Sequence, residues 1–147
     1  MLAEAPTISQ LSEVITQVTA PAFLLGAVAA FVAVLISRMN RIIERSQSLD
    51  AISDVDPAKA KLKSDIPRLK RRASLLNKSI LFATISAILT SLLVIVAFVA
   101  AFLNVRHEYG VGTLFVIALG FFTASLVNLA RETTIALGEF DHFSTSP

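Results

Sequence analysis

The sequence predicts an all-α integral membrane protein with three transmembrane helices, its N-terminus outside and its C-terminus inside. Residues 18–37, 79–103 and 111–130 contain no Asp, Glu, Lys or Arg. A helix of about 20 residues spans roughly 30 Å, the thickness of the bilayer hydrocarbon, and satisfies its own backbone hydrogen bonds in lipid. The composition agrees, because 54% of the 147 residues are hydrophobic. Most basic residues lie between the first two stretches, which favours this orientation.

The N-terminal leader, residues 7–18, carries an apolar stripe at helical spacing. The stripe predicts a short amphipathic helix that lies on the outer face or leads into the first span. Proline interrupts helical hydrogen bonding, so Pro21 predicts a kink or a helix start. Residues 1–17, which precede the first span, contain two Glu and no basic residue, unlike the basic start of a signal peptide, so we expect this segment to be retained. The stripe consists of Ile8, Leu11, Ile15 and Val18.

The first span, residues 18–37, contains a line of small side chains along one helical face. Small residues let helices in lipid approach closely, so the line predicts a helix–helix contact, within the subunit or between subunits. The alternative is the ordinary abundance of Ala and Gly in membrane helices. The line consists of Ala22, Gly26, Ala30, Ala33 and Ser37.

The segment between the first two spans, residues 38–78, is strongly basic. It holds 11 of the 13 Lys and Arg residues against five acidic residues, which gives a net charge of +6. Excess Lys and Arg remain on the cytoplasmic side, so this segment is predicted to lie inside the cell. The same charge favours anionic lipid headgroups as neighbours. The segment has no aromatic residue and no base-reading module, so we predict no nucleic-acid binding.

Heptad spacing within and beside the basic segment predicts an antiparallel helical hairpin on the cytoplasmic side. Asp56 is predicted to cap the second arm, with Pro57 as its first helical residue. Pro67 should kink or restart that arm, with Asp65 as a possible cap. The first arm carries Leu35, Met39, Ile42, Ser46 and Leu49, and the second carries Leu62, Ile66, Leu69, Ala73, Leu76 and Ile80.

The second and third spans are predicted to be antiparallel neighbours. The external turn that joins them, residues 104–110, is too short for another connection. Four hydroxyl side chains of the second span, residues 79–103, are expected to bond back to their own helix; they are Thr84, Ser86, Thr90 and Ser91. The third span, residues 111–130, leads into a cytoplasmic tail, residues 131–147.

Three arginines at the inner end of the first span form the first group of candidate site residues. Arg38, Arg41 and Arg45 are spaced three and four apart, so they share a helical face. Interfacial anchoring and topology are one interpretation of these arginines. The other is an arginine ring around the cytoplasmic mouth of a symmetric pore, which binds anions or lipid phosphates. The same face would meet Glu132 if the first and third spans are adjacent.

Polar residues at the inner end of the third span form the second group. Ser125, Asn128 and Glu132 are also spaced three and four apart. Asn128 is the most polar side chain in any span and should face protein or water. A hydrogen bond between helices and a pore-lining role are the two interpretations.

The sequence contains no catalytic constellation, and we predict no enzyme activity, no cofactor and no metal site. It has no cysteine. His107 and His142 lie on opposite sides of the membrane in the predicted topology, so they cannot share a metal ion. No span carries a carboxylate, and the common nucleotide, metalloprotease and hydrolase motifs are absent from the sequence.

Two blocks of sequence, together with the stretch around Asn128 and Glu132, resemble a group of small bacterial inner-membrane proteins. The blocks are APAFLLGAVAAFVAVLISRMNRIIERSQSL and LKRRASLLNKSI. The group is the DUF2721 family, and the resemblance covers roughly residues 10–140. It implies a multi-pass protein of the inner membrane and assigns no functional residue.

Two functional hypotheses follow from these patterns. The small-residue line and the heptads predict a homo-oligomer, which would form an ion-conducting pore with arginines at its cytoplasmic mouth. The alternative is a non-conducting membrane scaffold or sensor whose cytoplasmic hairpin binds a partner protein or anionic lipid.

Overall fold

The described part of the chain is helical and contains no strand. The computed structural model describes residues 7–52, 57, 62–103 and 108–144. It contains three long helices, which are α1 (Ile8–Asp50), α2 (Ile66–Leu103) and α3 (Glu108–Ser144). All three are long and apolar enough to cross a membrane. The chain is therefore an all-α, multi-pass membrane protein.

Helix α1 begins after Thr7, whose amide is capped by the Gln10 side chain, and continues without interruption through Pro21. Thr7 precedes the first helical residue, and its carbonyl accepts a hydrogen bond from the Leu11 amide at 3.0 Å. The Gln10 side chain reaches back to accept a hydrogen bond from the Thr7 amide at 3.0 Å. These two bonds fix the start of the helix at Ile8. The predicted helix start at Pro21 is therefore wrong, and the leader and the first span are one helix.

The helices extend beyond the predicted spans. Helix α1 continues past residue 37 to Asp50, and α3 continues past residue 130 to Ser144. Helix α2 begins at Ile66, where the Asp65 carbonyl accepts a hydrogen bond from the Leu69 amide at 3.1 Å. Pro67 is tolerated there because the first helical residues have no intrahelical acceptor for an amide. The predicted cap at Asp56 lies outside the described residues.

Buried positions recur every seven residues along each helix. In α2 the buried residues alternate in steps of three and four from Leu76 to Ala97, and in α3 Ala118 and Ser125 are seven apart. A seven-residue repeat is the spacing of helices packed as in coiled coils. This repeat includes Leu69 of the predicted second arm and three positions of the predicted first arm, Leu35, Ile42 and Leu49. The buried positions of α1 at this spacing are Val14, Pro21, Val28, Leu35, Ile42 and Leu49.

The described residues form two compact units, and each helix contributes to both. Unit 1 contains Met1–Phe31 and Phe82–Thr123, and unit 2 contains Val32–Leu81 and Ala124–Pro147. In unit 1, the rings of Phe31 and Phe122 meet edge to face, with centroids 5.4 Å apart. The Ser86 hydroxyl donates to the Ala118 carbonyl at 2.7 Å, which joins α2 to α3.

The small-residue line of α1 does not pack inside the chain. All five members are exposed, and a Cβ added at Gly26 would meet nothing within 4 Å. The contact predicted within the subunit is therefore wrong, because α1 buries its bulky heptad face instead. Small buried residues lie on the other helices, at Ala83, Ser86, Ala118 and Ser125. A contact between subunits stays a prediction.

Candidate functional site

A buried carboxylate in unit 2 joins all three helices. Glu132 of α3 is completely buried. Its Oε2 atom accepts a hydrogen bond from Arg38 Nη1 of α1 at 2.6 Å. Its Oε1 atom accepts bonds from Nε and Nη2 of Arg72 in α2, each at 2.8 Å. We call these three side chains the Glu132 cluster.

Helical spacing explains why the three side chains meet. Arg38 lies between the buried residues Leu35 and Ile42, so it shares the packed face of α1. Arg72 comes seven residues before buried Ser79 on α2, and Glu132 comes seven residues after buried Ser125 on α3. The cluster therefore occupies heptad positions that are otherwise filled by small or apolar residues.

The Glu132 cluster carries one more positive than negative charge. One carboxylate faces two guanidinium groups. The side chain of Glu132 is 0% exposed, that of Arg72 18% and that of Arg38 40%. A buried carboxylate is tolerated when it is paired and hydrogen-bonded, as Glu132 is on both oxygens. Arg38 is therefore the more solvent-exposed of the two positive charges.

Thr133 holds the Arg38 guanidinium from a second direction. Arg38 Nη1 donates to Thr133 Oγ1 at 3.0 Å, in addition to its bond with Glu132. The Thr133 hydroxyl in turn donates to the Leu129 carbonyl at 3.0 Å, which fixes its oxygen as an acceptor for Arg38. Two acceptors on α3 thus restrain one nitrogen of Arg38.

A pair of serines lies one heptad from the Glu132 cluster and ties α2 to α3. Ser79 Oγ donates to the Ser125 carbonyl at 2.7 Å, and Ser125 Oγ donates to the Ser79 carbonyl. The two hydroxyl oxygens are 2.9 Å apart. Ser86, seven residues further along α2, bonds to Ala118, seven residues back along α3. The predicted antiparallel pairing of the second and third spans is confirmed by this register.

Asn128 and Thr90 form hydrogen bonds within their own helices. Asn128 is buried, and its Nδ2 donates to the Ala124 carbonyl of its own helix at 2.9 Å. One interpretation of Asn128 was a hydrogen bond between helices. The hydrogen bond that its amide donates stays within α3. Thr90 bonds back to the Ser86 carbonyl, as expected for hydroxyls of the second span. That expectation is wrong for Ser86, whose hydroxyl reaches the neighbouring helix.

The structure brings together only some of the predicted site residues. Arg38 and Glu132 meet, whereas Arg41 and Arg45 are exposed further along α1. The sequence analysis did not identify Arg72 as a site residue. It lies among many basic residues, and their pattern indicates only the orientation of the chain in the membrane. Its heptad spacing from Ser79 and Ser86 is the signal that could have identified it. Within the described ranges, no group of three or more His, Cys, Asp or Glu residues is placed to hold a metal ion.

The family described as "Protein of unknown function (DUF2721)" matches residues 18–141. The chain belongs to the DUF2721 family. No curated protein and no solved structure matches this DUF2721 protein. The matched range contains the Glu132 cluster and the serine pair, so both are features of the family portion of the chain.

Proposed function

We propose that this DUF2721 protein is a non-conducting scaffold of the bacterial inner membrane whose basic hairpin binds anionic lipid headgroups. Its N-terminus lies outside the cell, and the hairpin and C-terminus lie in the cytoplasm. The three apolar helices and the uneven distribution of Lys and Arg support this arrangement.

The observation that carries the proposal is the separation of buried and exposed charge in unit 2. Glu132 is buried and pairs with two arginines, whereas the other basic residues described there are exposed apart from Lys63, which is half-buried. Anionic headgroups attract a Lys or Arg near the surface by about 1 kcal/mol each. The exposed cations are Arg41, Arg45, Arg68, Lys70, Arg71, Lys78 and Arg131.

The burial of polar span residues favours a scaffold over a pore. Ser125, Asn128 and Glu132 are buried inside a single chain, so they are not available to line a channel between subunits. Arg38 is bound to Glu132 and is not a free member of an arginine ring. A homo-oligomeric pore lined by α1 is the second candidate, and the exposed small-residue line favours it.

The orientation can be tested with single cysteines, because the chain has none of its own. Lys70→Cys and Ser9→Cys both introduce an exposed thiol. In intact cells, a membrane-impermeant maleimide should label Ser9→Cys and leave Lys70→Cys unlabelled until the cells are permeabilised. Labelling of Lys70→Cys from outside would overturn the proposed orientation.

The lipid preference can be measured on the purified full-length protein in mixed phosphatidylglycerol and phosphatidylcholine. Native mass spectrometry should show the anionic lipid enriched roughly two- to tenfold over its bulk share, as expected for several cations at the surface. The double change Lys70→Gln and Arg71→Gln should lower the enrichment, whereas Lys70→Arg with Arg71→Lys keeps the charge and should preserve it.

Three outcomes would contradict the scaffold proposal. Equal retention of the two lipids would show that the protein has no preference for anionic headgroups. Unitary currents in planar bilayers whose selectivity changes with Arg41→Glu would establish the pore lined by α1. A single protein cross-linked stoichiometrically through residues 46–78 in cells would identify a partner protein as the ligand of the hairpin.

A further inference from the structure

We propose that Arg38 binds one phosphate group through the edge of its guanidinium that faces away from Glu132. This inference rests on the proposed lipid binding and names the residue that makes it specific. The ligand class is a phosphate oxyanion, either in a lipid headgroup or free in solution.

The hydrogen bonds of Arg38 leave one edge of the guanidinium open. Both of its bonds to described residues use Nη1. A guanidinium has five N–H donors in a planar fork, so the Nε and Nη2 side retains a pair of parallel donors. This pair matches the spacing of two phosphate oxygens. The side chain is 40% exposed, which allows a ligand to approach it.

The charge of the Glu132 cluster favours an anion at this edge. Arg38 and Arg72 share the single carboxylate of Glu132, so the three side chains together carry more positive than negative charge. Arg72 is 18% exposed and is therefore the less accessible of the two. An anion attracted to the cluster is best placed at Arg38, the more exposed of the two arginines.

The guanidinium of Arg38 is ordered before any ligand arrives. Glu132 Oε2 and Thr133 Oγ1 hold Nη1 at 2.6 and 3.0 Å, so binding sacrifices less side-chain freedom than at an unrestrained arginine. Arg41 is exposed and lies one helical turn further along α1. It provides a matched comparison, because it carries the same charge without a bond to Glu132.

The position of Arg38 in the sequence places it at headgroup depth. It directly follows the apolar residues 18–37 of α1, and Arg131 directly follows the apolar residues 111–130 of α3. In the proposed topology both residues lie at the inner surface of the bilayer, where lipid phosphates are concentrated.

The test compares Arg38→Gln with Arg41→Gln in the full-length protein. Both variants lose one charge, and Arg38→Gln leaves a balanced Arg72–Glu132 pair, so we expect it to fold. Titration with phosphatidylglycerol in detergent, followed by native mass spectrometry, should show one tightly bound lipid. Arg38→Gln should weaken its affinity roughly tenfold or more, as expected for a bidentate charge-assisted contact, and Arg41→Gln no more than about twofold.

Thr133→Val keeps every charge but removes one restraint on Arg38. It should weaken the bound lipid by roughly two- to tenfold, the effect of one hydrogen bond. Equal losses for Arg38→Gln and Arg41→Gln would overturn the site and leave only diffuse attraction to the hairpin, as would no loss in either variant.

Inorganic phosphate distinguishes the two sources of the ligand. If millimolar phosphate displaces the lipid from wild type, and itself binds with the same dependence on Arg38, the ligand class is free phosphate and the site stands. If only the lipid binds, the ligand is a headgroup. Wild-type protein that binds phosphate through Arg38 but shows no preference for phosphatidylglycerol would keep the site and refute the proposed function.

Discussion

Glu132→Ala should destabilise this DUF2721 protein by about 3–5 kcal/mol, the usual effect of removing one partner from a buried ion pair. The change leaves Arg38 and Arg72 facing each other without the carboxylate that both now contact. It also leaves a cavity at a completely buried position. The measurement is the loss of helical circular dichroism during denaturant titration of the detergent-solubilised protein.

A triple variant serves as the control for this prediction. Replacing Arg38, Arg72 and Glu132 together with leucine removes every charge of the cluster and fills the space with apolar side chains. Its stability should return to that of wild type or exceed it, because burying ions carries a desolvation cost that apolar residues do not. A Glu132→Ala variant within 1 kcal/mol of wild type would show that the cluster contributes little.

Ser125→Leu should destabilise the protein by about 1–3 kcal/mol through overpacking, and by roughly 1 kcal/mol more through lost hydrogen bonds. Ser125 is completely buried, and its hydroxyl oxygen lies 2.9 Å from that of Ser79. A leucine has no room at this distance unless α2 and α3 separate. The same denaturant titration measures the change.

Two further variants divide the effect into its parts. Ser125→Ala removes the hydroxyl without adding volume, so it should show only the hydrogen-bond loss. Thr123→Leu places the same leucine two residues away on the exposed side of α3, where it should change stability by less than about 0.5 kcal/mol. Equal losses for the two leucine variants would contradict the close approach of α2 and α3.

Apolar periodicity was enough to predict the helices and much of the packed face. Leu35, Ile42 and Leu49 were predicted at heptad positions, and all three are buried. Their spacing is a local property of the sequence, and large apolar residues at seven-residue intervals have few other ways to leave water.

The inward face of the first span was harder to predict. Both a line of small residues and a line of bulky residues follow α1, and either can face a neighbour in lipid. The choice depends on the other helices. Because α2 and α3 already present Ala83, Ser86 and Ala118 at buried positions, close packing does not require Gly26 of α1.

The sequence predicted only part of the Glu132 cluster. A meeting of Glu132 with the arginines of the first span was anticipated from shared helical faces, but Arg72 was not distinguished from its basic neighbours. It is 60 residues away from Glu132 in the chain. Only the three-dimensional register of α2 against α3 shows which arginine reaches the carboxylate.

The seven-residue spacing of the α2–α3 contacts means that the Glu132 cluster selects one alignment of these helices. Small residues recur at buried positions of both helices, so sliding α2 by one heptad would still bring two small residues together, either Ser86 and Ser125 or Ser79 and Ala118. A slide in one direction would set Glu132 opposite Ser79, and a slide in the other would set it opposite Asp65. Either slide would remove the bonds from Arg72 and leave Arg38 of α1 as the remaining partner of Glu132 within the cluster. The ion pair between Arg72 and Glu132 therefore favours the observed alignment of α2 and α3 over alignments that are shifted by one heptad.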